Sequence, residues 1–262
     1  MTVLSNVDIK KEIKKGSIRI FPLDPDNLKG STYNLTASEY AWSLNDDKSL
    51  VVGDQIIIPP NDSALIATKE VIWISSKISG SYHSKVSIVS AGGGHIGTTL
   101  DPEWSGHSLI TIHNHSKKNL VIGVNKTIVS IMFHYLNKKT TAEQDNSSSQ
   151  LDYLYQYVPS VKNDAKVIDY FSESWKRQPK NLEKKMKNSA EYALINAKDK
   201  SKVNIYLFVF YISVIALLAL SLIGITFLRE NSGLYNLAYF IAYVGFSGVF
   251  VTLILAIHNK VK

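Results

Sequence analysis

The sequence predicts a mainly β protein, a compact β-barrel or double sheet opened by a short helix. A helical linker and a helical membrane hairpin follow. Three observations carry this reading. Short runs rich in Val, Ile and Thr, separated by turn residues, succeed one another through the first half of the chain without helical periodicity between them. The stretch 137–202 is polar and then basic, and from 203 onward two long apolar runs dominate. The expected domains are therefore 1–136, 137–202 and 203–262.

The elements follow in order. Ser5 with Asp8 three residues on forms a capping box with a short acid, and Gly16 is a natural stop, so a helix is expected between them. SIRIF (17–21), QIIIPP (55–60), SALIAT (63–68), VIWIS (71–75), HSLITIH (107–113), NLVIGV (119–124) and TIVSIMFHYL (127–136) read as strands. Many short strands without helices between them argue for a barrel or two packed sheets. KKTTAEQDNSSSQ (138–150) has linker composition. LDYLYQYVPSV adds an apolar, aromatic patch, and Val167, Ile168, Phe171 and Trp175 recur at helical spacing. Lys176, Arg177, Lys180, Lys184, Lys185 and Lys187 form a basic cluster suited either to anionic lipid or to a solvated helix face.

The runs 203–228 and 234–257 carry no charged side chain, and each is long enough to span about 30 Å of hydrocarbon. Lys198, Lys200 and Lys202 precede the first; Lys260 and Lys262 follow the second; the turn between them holds Arg229 offset by Glu230. That asymmetry places both termini, and the amino-terminal domain with them, in the cytoplasm of a two-span membrane protein. The chain contains no cysteine, which excludes disulfide frameworks, thiolate metal sites and thiol nucleophiles. A formal charge of +7 favours an anionic partner such as a nucleotide or a lipid surface. A nucleic-acid polymer is not expected, because no aromatic platform alternates with the lysines.

Four segments carry a family resemblance: DIKKEIKKGSIRIFP, STYNL (Ser31–Leu35), TTLDPEWSG (Thr98–Gly106) and TIVSIMFHYL. Their order and spacing across 1–136 resemble the dCTP deaminase branch of the trimeric dUTPase superfamily. The resemblance implies a distorted β-barrel, a homotrimer and nucleotide sites at subunit interfaces; it does not extend to the carboxy-terminal hairpin. It also implies a glutamate five residues past Gly106 as the proton-handling group of deamination. This chain has Thr111 there, and an alcohol does not replace a raised-pKa carboxyl near neutral pH, a loss worth at least about 10²–10⁴ in rate. Deamination is therefore disfavoured, with His113 or His115 as the weaker substitutes.

For pyrophosphatase chemistry the resemblance implies that Asp101 orients the attacking water. Magnesium would enter only if hydrolysis occurs. Asn34 stands where the family often has an aspartate. Ser84 and Lys85, in SYHSKVS, occupy the expected phosphate-gripping segment, and Trp104 is either a packing anchor or a base platform. No match to the glycine-rich lid of dUTPases is present. His113-x-His115 suggests a metal pair, but no third ligand has zinc spacing, so no metal site is expected. Gly92-Gly93-Gly94 reads as a loop.

The expected function is a membrane-anchored nucleotide-binding protein that no longer deaminates. Ser84, Lys85, Asp101, Trp104 and Thr111 would be its ligand contacts, with Asn34 and Thr111 as altered positions. Such a layout suits a nucleotide sensor or membrane effector, as in cellular defence. The alternatives are an active membrane-attached nucleoside-triphosphate pyrophosphatase with Asp101 catalytic, a working dCTP deaminase, and a non-catalytic assembly module.

Overall fold

The computed structural model describes residues 2–95, 97–141 and 150–196, together with Phe210 and Ser213. The chain divides into two units, Met1–Ala197 and Lys198–Lys262. The expected membrane runs 203–228 and 234–257 lie outside the described residues apart from Phe210 and Ser213. Among the described residues no helix is long and apolar enough to cross a membrane.

Strand β1 (Thr2–Val3) leads into helix α1 (Asn6–Lys15), whose ends are those expected. The Asp8 N–H donates to Ser5 Oγ at 3.2 Å and the Ser5 N–H donates to Asp8 Oδ2 at 3.1 Å. Gly16 closes the helix at φ 75°, a left-handed conformation that costs glycine least. Then come β2 (Ile18–Phe21), β3 (Tyr33–Ser43), β4 (Val51–Val52), β5 (Gln55–Ile58), β6 (Ser63–Ile74) and β7 (Ile78–Ser84). The short helix α2 (Val86–Ser90) is followed by β8 (Gly93–Gly94), β9 (Thr99–Leu100), β10 (Ser105–Asn114), β11 (Leu120–Gly123) and β12 (Thr127–Tyr135).

The strands build a nine-stranded sheet in the order β8-β10-β6-β3-β12-β7-β9, with β1 added to β12 and β2 to β6, and a small sheet β11-β5-β4. Every pairing between named strands is antiparallel. Ile9, Ile13, Ile20, Tyr33, Ile66, Ile72, Ile131 and Phe133 are among the buried residues between the layers. Mainly β architecture is thus as expected, with two differences. SALIAT and VIWIS are one continuous strand, β6; the two-residue strands β1, β4, β8 and β9 were not foreseen, Gly93–Gly94 being strand rather than loop, and neither were two longer ones, β3 and β7. Both carry polar or small residues at enclosed positions, which hides the alternation. In β3 the buried Asn34 accepts from Ser130 Oγ (2.7 Å), and Thr36 donates to the Glu70 carboxyl from its N–H (2.9 Å) and its hydroxyl (2.7 Å).

Within the expected linker, residues 150–196 pack on the sheet. Helix α3 (Leu151–Tyr157), α4 (Ala165–Ser172) and α5 (Pro179–Lys187) follow in order. Leu151, Leu154, Val158, Val161, Val167 and Phe171 form a second core with Trp42, Leu65 and Ala67 of β3 and β6. Met186, Tyr192 and Ile195 join the main core. Val167, Ile168 and Phe171 lie in α4 as the spacing predicts, opened by Asp164, which accepts from the Lys166 and Val167 N–H groups. Trp175 falls beyond the helix end in a 3-10 turn, edge-on to Phe21 at 5.6 Å. Nor is the basic cluster a uniform solvated face. Lys176 is only 5% exposed, and its Nζ lies 4.0 Å over the Tyr170 ring. Lys185 lies over Trp175 at 4.5 Å. Lys176 buries its stem while its charge is partnered, and Lys185, though exposed, places its charge over an aromatic ring.

Candidate functional site

A cavity of about 310 Å³ opens where β7, β9, β10 and α3 meet. Its floor comes from the sheet. Tyr82 of β7 donates its N–H to Thr98 O (2.9 Å), and its hydroxyl lies 2.6 Å from Ser108 Oγ of β10. Burial pushes the Tyr82 phenol up to about 12, so it keeps its proton at neutral pH. Thr98, Thr99, Leu100, Leu109 and Ile110 line the walls, and Asp101 places an exposed carboxylate at the edge.

The turn after Asp101 sets the remaining wall. Glu103 has φ 66°, and its N–H donates to Ile74 O at 2.7 Å; this turns the chain so that Trp104 lies against the cavity. A Cβ on Gly106 would stand 3.0 Å from the Trp104 ring, so the glycine permits that close approach. Trp104 therefore packs against the main core and lines the cavity as well. Gln150 and Tyr153 complete the lining from α3 and its first turn.

Of the residues singled out from sequence, Asp101 and Trp104 reach this cavity. The others stand elsewhere. Ser84 donates its hydroxyl to His95 O at 3.3 Å, and Lys85 begins α2 with its ammonium near Lys29; burial and then that like charge lower the Lys85 pKa. Asn34 is bonded to Ser130 within the sheet. Thr111 is half-buried on β10 opposite Leu65. His113 lies 2.7 Å from Ser63 Oγ, with the His115 ring 5.9 Å away. Among the described residues no three His, Asp or Glu side chains are grouped to hold a metal ion.

Sequence reasoning did not single out Tyr82, Ser108, Thr99, Gln150 or Tyr153. Tyr82 and Ser108 carried a usable signal, since each stands beside a residue already under consideration in the motif segments. Gln150 and Tyr153 carried none, because only the docking of α3 brings them to the cavity.

A second polar cluster lies behind the cavity floor, where β3, β6 and β10 all shift register. The Ser108 N–H donates to Thr68 Oγ1 (2.9 Å), and that hydroxyl donates to Glu70 O (3.0 Å). Burial raises the Glu70 carboxyl to about 7 against the bonds from Thr36, which favour its charge. His107 donates Nδ1–H to Thr68 O (2.9 Å) and stacks on Tyr170 at 4.4 Å; burial, then the nearby Lys176 charge, lower it to about 3. The imidazole is therefore neutral, with Nε2 buried and unpartnered.

The family model described as dCTP deaminase-like matches residues 3–136. The dCTP deaminase of Pyrobaculum calidifontis is 27% identical over 135 residues, 46% of this chain and 77% of that protein. That of Pyrococcus abyssi is 27% identical over 131 residues, 50% and 82% of the two chains. A probable deoxyuridine 5'-triphosphate nucleotidohydrolase of Sulfolobus islandicus rod-shaped virus 1 is 33% identical over 76 residues, 29% of this chain and 48% of that one. Among solved structures, the 2'-deoxycytidine 5'-triphosphate deaminase of Agrobacterium tumefaciens superposes with a TM-score of 0.44 at 12% identity. It covers 59% of this chain, and the chain spans 53% of that protein.

Proposed function

Because the chain belongs to the dCTP deaminase-like family, we propose that the cavity at Asp101 holds a deoxynucleotide, that deamination has been lost, and that the carboxy-terminal segment attaches the domain to a membrane. The observation that carries the first part is the composition of the cavity. It offers a phenol and hydroxyls as neutral donors, a carboxylate as acceptor and two aromatic rings, and its volume suits a base and sugar. Phosphates would extend outward. In a homotrimer with interface sites, Ser84 and Lys85 supply phosphate contacts to a site shared with a neighbouring copy.

Loss of deamination is supported by Thr111 and by the described lining residues, among which Asp101 has the one carboxyl group. That acid is exposed and stands at the cavity edge. Tyr82 and Ser108 hold and orient the ligand, and Asp101 accepts a hydrogen bond from the sugar or base. Membrane attachment is supported by the two uncharged runs and their flanking lysines, with both termini cytoplasmic and anionic lipid meeting the lysines that stay exposed. A trimer would gather its membrane segments together, so that nucleotide occupancy could bias their packing as in a sensor or effector.

A second reading, a membrane-attached pyrophosphatase, is favoured by Asp101 itself, which is placed to orient a water at the cavity edge. Magnesium would then ride on the nucleotide phosphates, since the described lining contributes one carboxylate and no all-protein cage. A thermal-shift panel of deoxynucleoside triphosphates on the full chain, paired with pyrophosphate detection in magnesium, separates the readings. Stabilisation without pyrophosphate release supports binding alone. Release abolished by Asp101→Asn supports the pyrophosphatase, and no stabilisation by any nucleotide leaves the assembly module.

A further inference from the structure

We propose that helix α3, which lies beyond the family-matched residues 3–136, is part of the ligand site, with Tyr153 stacking on the nucleotide base and Gln150 bonding to its polar edge. This rests on the nucleotide reading of the cavity. Three observations place α3 there. Gln150 and Tyr153 line the cavity together with Asp101, Trp104 and Tyr82. The helix is held rigidly from its other side, where Leu151 and Val158 are buried and Leu154 is fully enclosed in the second core. Its end is tied down as well: the Ser160 N–H donates to Asp47 Oδ2 and the Ser160 hydroxyl to Asp47 O, each at 2.8 Å.

Tyr153 itself is 66% exposed, a large aromatic ring that folding leaves uncovered at the mouth of a cavity. An exposed ring on an anchored helix pays little ordering entropy on binding and offers a face to any base. Gln150 presents both an amide donor and an acceptor, and so can meet the mixed edge of a pyrimidine or purine. Helical spacing puts Tyr157 on the same stripe, one turn further out; it does not line the cavity. The ligand would thus bridge the sheet and the docked helical segment, which leads on toward residue 198.

The test is titration of the full chain in detergent with dUTP, dCTP, dATP, dGTP and dTTP in magnesium. Stacking lost on truncation weakens binding about ten- to a hundredfold, so Tyr153→Ala is expected to raise Kd by that factor for whichever nucleotide binds, with an unchanged melting temperature for the free protein. Tyr153→Phe retains most of the affinity, and Gln150→Ala costs about three- to tenfold. Wild-type affinity in Tyr153→Ala overturns the proposal while leaving the nucleotide reading standing. Failure of the wild-type chain to bind any of the five removes both.

Discussion

His107 and Ser108 are neighbours on β10, yet they belong to clusters of opposite character. Ser108 lines the cavity with Tyr82, Asp101 and Trp104; Ser108 and Tyr82 are buried and bonded to each other, and Asp101 is exposed. His107 is buried with Thr68, Glu70 and Tyr170 in a knot of internal bonds. The large pKa displacements of Glu70 and His107 belong to the closed cluster. Burial causes both, and neither residue lines the cavity. A perturbed pKa therefore marks desolvation, in Tyr82 on the cavity floor as much as in Glu70 and His107, and the concave lining rather than the shift marks the site.

If the closed cluster and its neighbours are structural, the largest effects on stability lie on that side. Phe171→Ala is expected to cost about 3–5 kcal/mol, because the ring is buried in the second core against the sheet. Denaturant unfolding measures it, and a loss under about 1 kcal/mol would return residues 150–196 to the status of a linker.

Glu70 gives the next largest effect, and it depends on pH. The folded carboxyl holds its proton up to about pH 7, whereas the unfolded one releases it near the ordinary value of 4.5. The folded state binds more protons across that window, so stability falls by about 3 kcal/mol as pH rises from about 4.5 to 7 and levels off above it. Glu70→Gln should flatten that slope; unfolding curves at pH 5 and pH 7.5 show whether it does.

On the cavity side the effects on stability are smaller. Tyr82→Phe loses the bond to Ser108 and is expected to cost about 1 kcal/mol. Asp101→Asn, at an exposed position, should move stability by less than about 0.5 kcal/mol while abolishing nucleotide-induced stabilisation. The reverse pattern, a large stability loss with ligand response intact, would make Asp101 a turn residue only. For the membrane segment, the natural absence of cysteine permits single introduced cysteines. Ser232→Cys in intact cells should react with a membrane-impermeant thiol reagent, and Ser5→Cys should be protected until the membrane is opened.

Much of the fold was legible because local chemistry and tertiary role agree. Ser5, Asp8 and Gly16 bound α1 as read, and the Val/Ile runs became strands. β3 and β7 were not legible, since Asn34, Thr36 and Ser38 are enclosed by partners distant in sequence rather than by an apolar pattern. The docking of α3 and α4 needed Trp42, Leu65 and Ala67 to be recognised as an outward apolar face. The apolar runs at either end of β6, 64–67 and 71–74, hint at burial on both sides without naming the cover. In the site, the DPEWSG segment located Asp101 and Trp104. Ser84, Lys85, Asn34 and Thr111 came from the same family pattern, but within one chain they do not meet at the cavity.

The most direct measurement incubates the full chain with dCTP and follows binding and product together. The account predicts saturable nucleotide binding that Asp101→Asn removes, with dCTP recovered unchanged. Conversion of dCTP to dUTP at an enzymatic rate would contradict it, since Thr111 would then have been no barrier to proton transfer.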